Sequence, residues 1–197
     1  MARAVIEGMA RDWTGDRLDQ MLAAELPHPE ALDRFVPSRG IGRVRGFAAE
    51  FAFHVGAGTV PGVSATSLLR SLLVGSATLL KPGLGDVVLP VLLARGIAEE
   101  TPALAEALAV LYWPGGSETA LERTALERAG LVVAYGSDAS IRALATRLPM
   151  ATPLVAYHHR IGVAVIGREA LARDKVRAVA DADRKSTRLN SSHGYIS

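Results

Sequence analysis

The sequence predicts an α/β fold, a Rossmann-like domain in which a largely parallel sheet carries helices on its faces. The first observation behind this prediction is an alternation of short β-rich runs with helical runs from Phe47 onward. The second is composition, because 197 residues with 49% hydrophobic side chains can bury one sizeable core. The third is that no run of about 18 apolar residues occurs, which excludes a membrane span.

The strands are predicted from short runs, most of which are apolar throughout. Turn-forming residues and helical runs separate them, as expected for repeated βαβ units. The predicted strands are Ala49–Val55, Ala77–Leu80, Ala109–Trp113, Leu131–Tyr135, Leu154–Tyr157 and Val163–Ile166.

Four helices are predicted between these strands, each beginning at a residue that can cap a helix. Pro90 falls in the first turn of the second helix, where its missing N–H does least harm. The predicted helix starts are Ser64, Asp86, Ser117 and Asp138.

Residues 1–46 are predicted to form an N-terminal helical segment that precedes the Rossmann-like domain at 47–183. Hydrophobic periodicity predicts two amphipathic pieces, with Pro27 and Pro29 between them. The candidate inward-facing residues are Val5, Met9, Leu18, Leu22 and Leu32.

Residues 184–197 differ from the rest of the chain, because they are polar and basic and have neither helical nor strand periodicity. We expect this tail to be foreign to the protein, or alternatively a disordered tail, and assign it no function. Its basic residues, Arg184, Lys185 and Arg188, occur without any acid and account for the net charge of +2. The remainder is close to neutral and carries no basic stripe with aromatic residues, so nucleic acid is not an expected partner.

Composition also bears on the compartment in which the chain works. The sequence has no cysteine, which excludes a disulfide framework and favours the cytoplasm. The charged residues Arg3, Glu7 and Arg11 interrupt the N-terminus, so it lacks the apolar segment of a secretory signal.

Two strand-to-helix junctions are candidate ligand loops. The glycines of residues 56–62 could let the backbone approach a phosphate, but their spacing is G-x-G-x-x-x-G and not the dinucleotide fingerprint. A structural turn is the alternative. Lys81 ends the second predicted strand, at the edge where α/β sheets bind ligands, and could pair with a ribose phosphate. The alternative is a solvated lysine.

A third junction, Gly136-Ser137-Asp138, places a glycine and a hydroxyl before a helix N-terminus, which favours an anion. The alternative is that Ser137 or Asp138 only caps the helix.

The adjacent His158 and His159 point to opposite faces in extended structure, so we expect no metal site. The sequence also offers no catalytic nucleophile, because it has no cysteine and no serine lies in a G-x-S-x-G turn.

Five segments in this order resemble those of LuxC-type acyl-CoA reductases, and the resemblance spans about Met1 to Asp183. They are Phe53–Gly62, Leu80–Gly83 with Asp86, Tyr112–Gly116, Tyr135–Asp138 and Tyr157–Arg160. The resemblance implies kinship with aldehyde dehydrogenases: a Rossmann-like cofactor domain, a catalytic domain with a nucleophilic cysteine, and a homo-oligomer. It also implies reduction of a long-chain fatty acyl-CoA or acyl-protein thioester to the aldehyde with NADPH.

By the same resemblance, Lys81 matches the lysine that holds the adenosine ribose or its 2′-phosphate. Gly136 and Ser137 match the pair beside the cofactor diphosphate. Gly58 and Pro61 belong to the candidate cofactor loop. Thr59 stands where the family has the oxyanion-hole asparagine, which puts that role in doubt.

The family's cysteine lies beyond the segment that matches 181–183, where the unusual tail begins. We therefore expect a fragment that carries cofactor-binding residues, has no catalytic residue and is inactive. One alternative is a non-catalytic nucleotide-binding module. A reading frame that continued past Asp183 into a Gly-Cys segment would favour the reductase. A different Rossmann-type oxidoreductase would need its own acid–base pair, and none is visible.

Overall fold

The computed structural model describes residues 2–26, 28–40, 42–59, 61–117 and 119–158. The helices are α1 (Ala2–Asp12), α2 (Gly15–Glu25), α3 (Val63–Leu73), α4 (Val88–Glu100), α5 (Pro102–Ala105), α6 (Ala120–Arg128) and α7 (Asp138–Ala145). The strands are β1 (Val36–Ser38), β2 (Gly42–Val44), β3 (Phe51–Val55), β4 (Ala77–Lys81), β5 (Leu108–Val110), β6 (Leu131–Tyr135) and β7 (Leu154–Tyr157). Short 3-10 helices cover Pro29–Leu32 and Leu84–Asp86.

Five parallel strands form the central sheet in the order β5-β4-β3-β6-β7. From β3 the chain proceeds outward on one side through β4 and β5, and then returns to the other side of β3 as β6 and β7. This is the doubly wound order, whose switch point lies between β3 and β6. The predicted α/β fold class is confirmed.

Five of the six predicted strands are present, and the sixth, Val163–Ile166, lies outside the described residues. The predicted third strand extended too far, because β5 ends at Val110. Among the described residues its one neighbour in the sheet is β4, which ends at Lys81, and the last bond between the two strands joins Leu111 N to Leu80 O.

The hairpin of β1 and β2 was missed by the sequence analysis. Each strand has three residues, which is too short for an alternating apolar pattern to be visible. The glycines Gly40 and Gly42 at its turn have φ values of 79° and 90°, a conformation that glycine adopts at little cost.

Three of the four predicted helix starts were wrong. Gly62 is the N-cap of α3, and Ser64 lies inside the helix. Asp86 does not start α4; its carboxylate accepts hydrogen bonds from the backbone of residues at the start of α3. Thr119 caps α6 through its hydroxyl, whereas the Ser117 hydroxyl donates to Pro114 O within the preceding turn.

The fourth start is confirmed, since α7 begins at Asp138 with Ser137 as its N-cap. In the N-terminal segment, the prediction of helical structure is confirmed, but the predicted break at Pro27 and Pro29 was wrong: α1 and α2 both precede it, and Pro29–Leu32 form only a 3-10 helix. No residue of α2 is buried, however, so Leu18 and Leu22 lie only partly inward. Within the described ranges, no helix combines the length and the apolar character that a bilayer crossing requires.

The two faces of the sheet are packed in different ways. The face covered by α6 and α7 is apolar, with Phe53, Leu126 and Val132 almost completely buried. The opposite face carries His54, which lies on β3 beside the serines of α3. Small side chains allow α3 to lie close to the strands, but they also leave polar groups in the interior that need partners.

A buried polar network therefore connects α3 to the sheet. His54 Nδ1 lies 2.7 Å from Ser67 Oγ, and the Tyr135 hydroxyl donates to the same Ser67 oxygen at 3.4 Å. The other ring nitrogen of His54 has no partner among the described residues. His54 is only 4% exposed, and burial lowers its pKa to about 4. The folded protein thus holds this imidazole neutral.

We predict that His54 makes the protein less stable in acid. The unfolded chain has a histidine pKa near 6.5 and the folded chain one near 4, so the unfolded state takes up its proton first as the pH falls. The contribution of neutral His54 to the free energy of unfolding is complete above pH 6.5. It decreases by about 3 kcal/mol as the pH falls to 4. Urea unfolding at several pH values measures this decrease.

The matched variants are His54→Gln and His28→Gln, the second at an exposed histidine. The acid-induced decrease in unfolding free energy should shrink by about 3 kcal/mol in His54→Gln and stay unchanged in His28→Gln. The same pH dependence in wild type and His54→Gln would contradict the assignment.

Candidate functional site

A cleft of about 620 Å³ opens at the carboxyl ends of β3, β4 and β6. Its floor includes Val55, Lys81 and Tyr135, the last residues of these three strands, and residues of α6 and α7 form a wall. Hollows of about 550 and 610 Å³ lie beside α2, so volume does not distinguish the cleft. Its position does, because the switch point of a doubly wound sheet is where such folds bind ligands.

Glycine backbones bring the loops after β3 and β4 into direct contact. A Cβ on Gly83 would lie 2.2 Å from Gly58 N, and one on Gly85 would lie 2.2 Å from Gly58 O. The reverse also holds, since a Cβ on Gly58 would lie 2.6 Å from Gly85 N. Contact between the loops therefore explains the glycine at position 58. Gly58 still lines the cleft, so its predicted ligand role stays a prediction.

A buried carboxylate holds the same two loops together. Asp86, 4% exposed, accepts hydrogen bonds from Gly62 N at 3.0 Å and Ser64 N at 3.1 Å. These N–H groups lie at the start of α3, where no helical carbonyl is available to them and a negative charge is favoured. The carboxylate therefore belongs to the scaffold of the cleft.

Lys81 lies at the base of the cleft, at the end of β4. It is 7% exposed, and its Nζ lies 5.5 Å from the centre of the Trp113 ring, so it is not a solvated strand-end lysine. Burial lowers the pKa of Lys81, and the nearby carboxylate of Glu122 partly opposes that effect. Burying a cation requires compensating contacts, and the indole face and this carboxylate supply them.

Glu122 joins the walls of the cleft and was not predicted from the sequence. It is 6% exposed; its Oε2 accepts from Trp113 Nε1 at 2.6 Å and its Oε1 accepts from Arg147 Nη1 at 2.5 Å. The pattern Thr119-x-x-Glu122 was a visible signal, since it is that of a capping box. Only the threonine half forms, because the glutamate side chain turns towards the cleft.

The third predicted junction lies partly in the cleft. Gly136 lines it and donates its N–H to Tyr157 O at 3.1 Å. Ser137 is exposed and caps α7, accepting from Ser140 N at 3.2 Å. Ser140, which the sequence analysis did not name, lines the cleft where Ser137 does not. A serine one helical turn into α7 has no sequence signal that separates it from other exposed helix residues.

The remaining predicted residues that the structure describes do not line the cleft. Thr59 and Pro61 are exposed in the first loop and do not line it. His158 Nδ1 lies 3.1 Å from Asp138 Oδ1 at the surface, and His159 is outside the described residues. Among the described residues, no group of three potential metal ligands is found.

The fold and the position of the cleft define the chain as a doubly wound α/β protein with a ligand-type cleft at its switch point. A family model described as acyl-CoA reductase (LuxC) matches residues 1–183. The chain belongs to this acyl-CoA reductase (LuxC) family, and the resemblance found in the sequence motifs is confirmed.

Similar proteins include two long-chain acyl-protein thioester reductases. The one from Vibrio harveyi is 29% identical over 126 residues, which are 63% of this chain and 26% of that protein. The one from Aliivibrio fischeri is 26% identical over 113 residues, 56% of this chain and 23% of that protein. The match thus spans about a quarter of the length of these relatives.

A similar solved structure is that of a NAD-dependent benzaldehyde dehydrogenase from Corynebacterium glutamicum. It is 21% identical, the TM-score is 0.47, and the match covers 64% of this chain and 29% of that one.

We predict that Gly83→Ala destabilises the fold at the cleft. The new methyl group would meet backbone atoms 2.2 and 2.5 Å away, in Gly58 and Ala57, so the loops must separate. We expect a loss of about 1–3 kcal/mol in unfolding free energy, the usual cost of overpacking. The control is Gly96→Ala in α4, where nothing lies within 4 Å, with an expected gain of up to about 1 kcal/mol.

Urea unfolding of both variants measures the difference. Equal stability of Gly83→Ala and wild type would show that the two loops do not need their close contact.

Proposed function

We propose that this chain is the cofactor-binding part of an enzyme that reduces long-chain acyl thioesters to aldehydes with NADPH. Membership of the acyl-CoA reductase family and the printed names of the similar proteins support the reaction class. The observation that carries the cofactor proposal is Lys81, a buried cation in the cleft at the switch point of the sheet.

The residues present fit a nicotinamide dinucleotide. Gly56 and Gly136 line the cleft without side chains, which allows a diphosphate to approach the backbone. The N-terminus of α7 lies beside Gly136 and favours negative charge. Lys81 would hold the adenosine ribose and its 2′-phosphate by a charge-assisted contact at low dielectric. When bound, the cofactor supplies a hydride to the acyl group.

The acyl-transfer step that the family resemblance implies requires a cysteine thiol, and the chain contains no cysteine. In this proposal the described residues bind and orient the cofactor, and the reactive thiol comes from another part of the complete enzyme. Thr59 keeps its proposed role as a hydroxyl donor to the oxyanion. We further propose that the substrate is a fatty acyl-CoA or acyl-protein thioester and that the complete enzyme is a cytoplasmic homo-oligomer.

The first test compares the affinities of the chain for NADPH and NADH. We predict tighter binding of NADPH, and in Lys81→Ala the loss of most of that preference. A charge-assisted contact is worth about 1.5–3 kcal/mol, or roughly ten- to a hundredfold in affinity. The control is Arg142→Ala, which removes an exposed cation of α7 that does not line the cleft.

Fluorescence titration at fixed ionic strength gives two affinities, one for each nucleotide, for wild type and for each variant. Equal affinities of wild type for the two nucleotides would refute NADPH specificity. An unchanged ratio in Lys81→Ala would refute the role of that lysine.

The second test concerns turnover. We predict that the 197-residue chain forms no aldehyde from fatty acyl-CoA and NADPH, because it has no thiol on which an acyl-thioester intermediate could form. Gas chromatography of the products, with the intact mass of the protein confirmed, makes the measurement. Sustained aldehyde formation would show that the chain carries out the acyl chemistry without cysteine.

A further inference from the structure

Three charged residues line the described part of the cleft: Lys81, Glu122 and Arg147. They come from β4, α6 and the turn after α7, and they meet around one carboxylate. Arg147 forms an ion pair with Glu122, and the charge of Glu122 also acts on Lys81. Two cations and one anion leave this part of the cleft with one excess positive charge.

The orientation of Glu122 decides which ligand this charge suits. A carboxylate that faces the ribose binds a 2′-hydroxyl and repels a 2′-phosphate. Here one carboxylate oxygen accepts from Trp113 and the other from Arg147, and the side chain is buried. Glu122 is therefore bonded to the wall of the cleft, and it fixes the position of Arg147 in that wall.

Arg147 differs from Lys81 in how it can bind an anion. Lysine is a compact point charge, whereas the planar guanidinium matches two oxygens of one phosphate. Arg147 is partly exposed, with 27% of its side chain accessible, and Lys81 lies deeper. A phosphate that enters the cleft would thus meet cations at two depths.

We propose that Arg147 is a specificity-determining residue that binds, together with Lys81, a phosphomonoester on the ribose of an adenine nucleotide. The inference rests on the proposed function, in which the cleft takes such a nucleotide. Two sources have this chemistry: the 2′-phosphate of NADPH and the 3′-phosphate of coenzyme A. The probes adenosine 2′,5′-bisphosphate and adenosine 3′,5′-bisphosphate represent them, and adenosine 5′-monophosphate lacks the second phosphate.

Trp113 can report binding, because it lines the cleft and contacts both Lys81 and Glu122. The chain has two tryptophans, and Trp13→Phe leaves Trp113 as the only indole fluorophore. In this background the variants are Arg147→Gln, Arg147→Lys and the control Arg142→Gln. Each is titrated with the three nucleotides, calorimetry checks the affinities independently, and thermal unfolding checks that each variant is folded.

We expect one bisphosphate to bind at least about tenfold more tightly than the monophosphate, as a charge-assisted contact provides. Arg147→Gln should reduce this ratio of bisphosphate to monophosphate affinity about tenfold and leave the monophosphate affinity within about twofold of wild type. Arg147→Lys should keep part of the ratio, because lysine retains the charge but not the planar guanidinium. Arg142→Gln should leave the ratio unchanged. A reduced ratio for the 2′,5′ isomer assigns the site to NADPH, and for the 3′,5′ isomer to coenzyme A.

The outcomes separate the two proposals. If wild type binds none of the nucleotides, the proposed function fails. If wild type prefers a bisphosphate and Arg147→Gln keeps the preference, the proposed function stands and Arg147 has no such role. An equal loss of affinity for all three nucleotides also overturns the inference, because it shows only a general effect of charge.

Discussion

The described structure depends on the contact between the loops that follow β3 and β4. Glycine backbones meet there without side chains between them, and the Asp86 carboxylate bonds to the start of α3. This contact lies where β3 and β4 end, and so it shapes one side of the mouth of the cleft. The constraint is steric first and electrostatic second, since a Cβ at 2.2 Å cannot be accommodated without backbone movement, whereas the hydrogen bonds stabilise an arrangement that already fits.

The fold also separates polar from apolar side chains between the two faces of the sheet. The face under α6 and α7 holds the aromatic stack of Phe53 and Trp113, 6.1 Å between ring centres. The face under α3 holds a serine-lined interface with a neutral histidine. The cleft opens at the edge where both faces end. Lys81 in the cleft therefore packs against the aromatic side, whereas the other face of the sheet is lined by short side chains that form hydrogen bonds.

The sequence was sufficient to predict the fold class, five strands, and the cleft positions of Lys81, Gly58 and Gly136, because period and strand-end position are local properties. It did not identify Glu122 or Arg147, whose significance arises from a contact across 25 residues of chain. The helix start predicted at Asp86 was wrong for a similar reason. Asp86 looks like a local cap, but the free N–H groups that its carboxylate reaches belong to a helix 22 residues earlier. The residues from 159 onward, including the predicted sixth strand, lie outside the described structure.

Trp113 belongs both to the hydrophobic core and to the wall of the cleft. One side of its ring packs on Phe53, Lys81 lies over the ring, and its N–H bonds to Glu122. Substitutions that alter ligand choice at this position would therefore also change how tightly the sheet is packed. An engineer who wished to exchange one nucleotide for another here would have to redesign core and cleft together, and a variant library should couple these positions instead of sampling them one at a time.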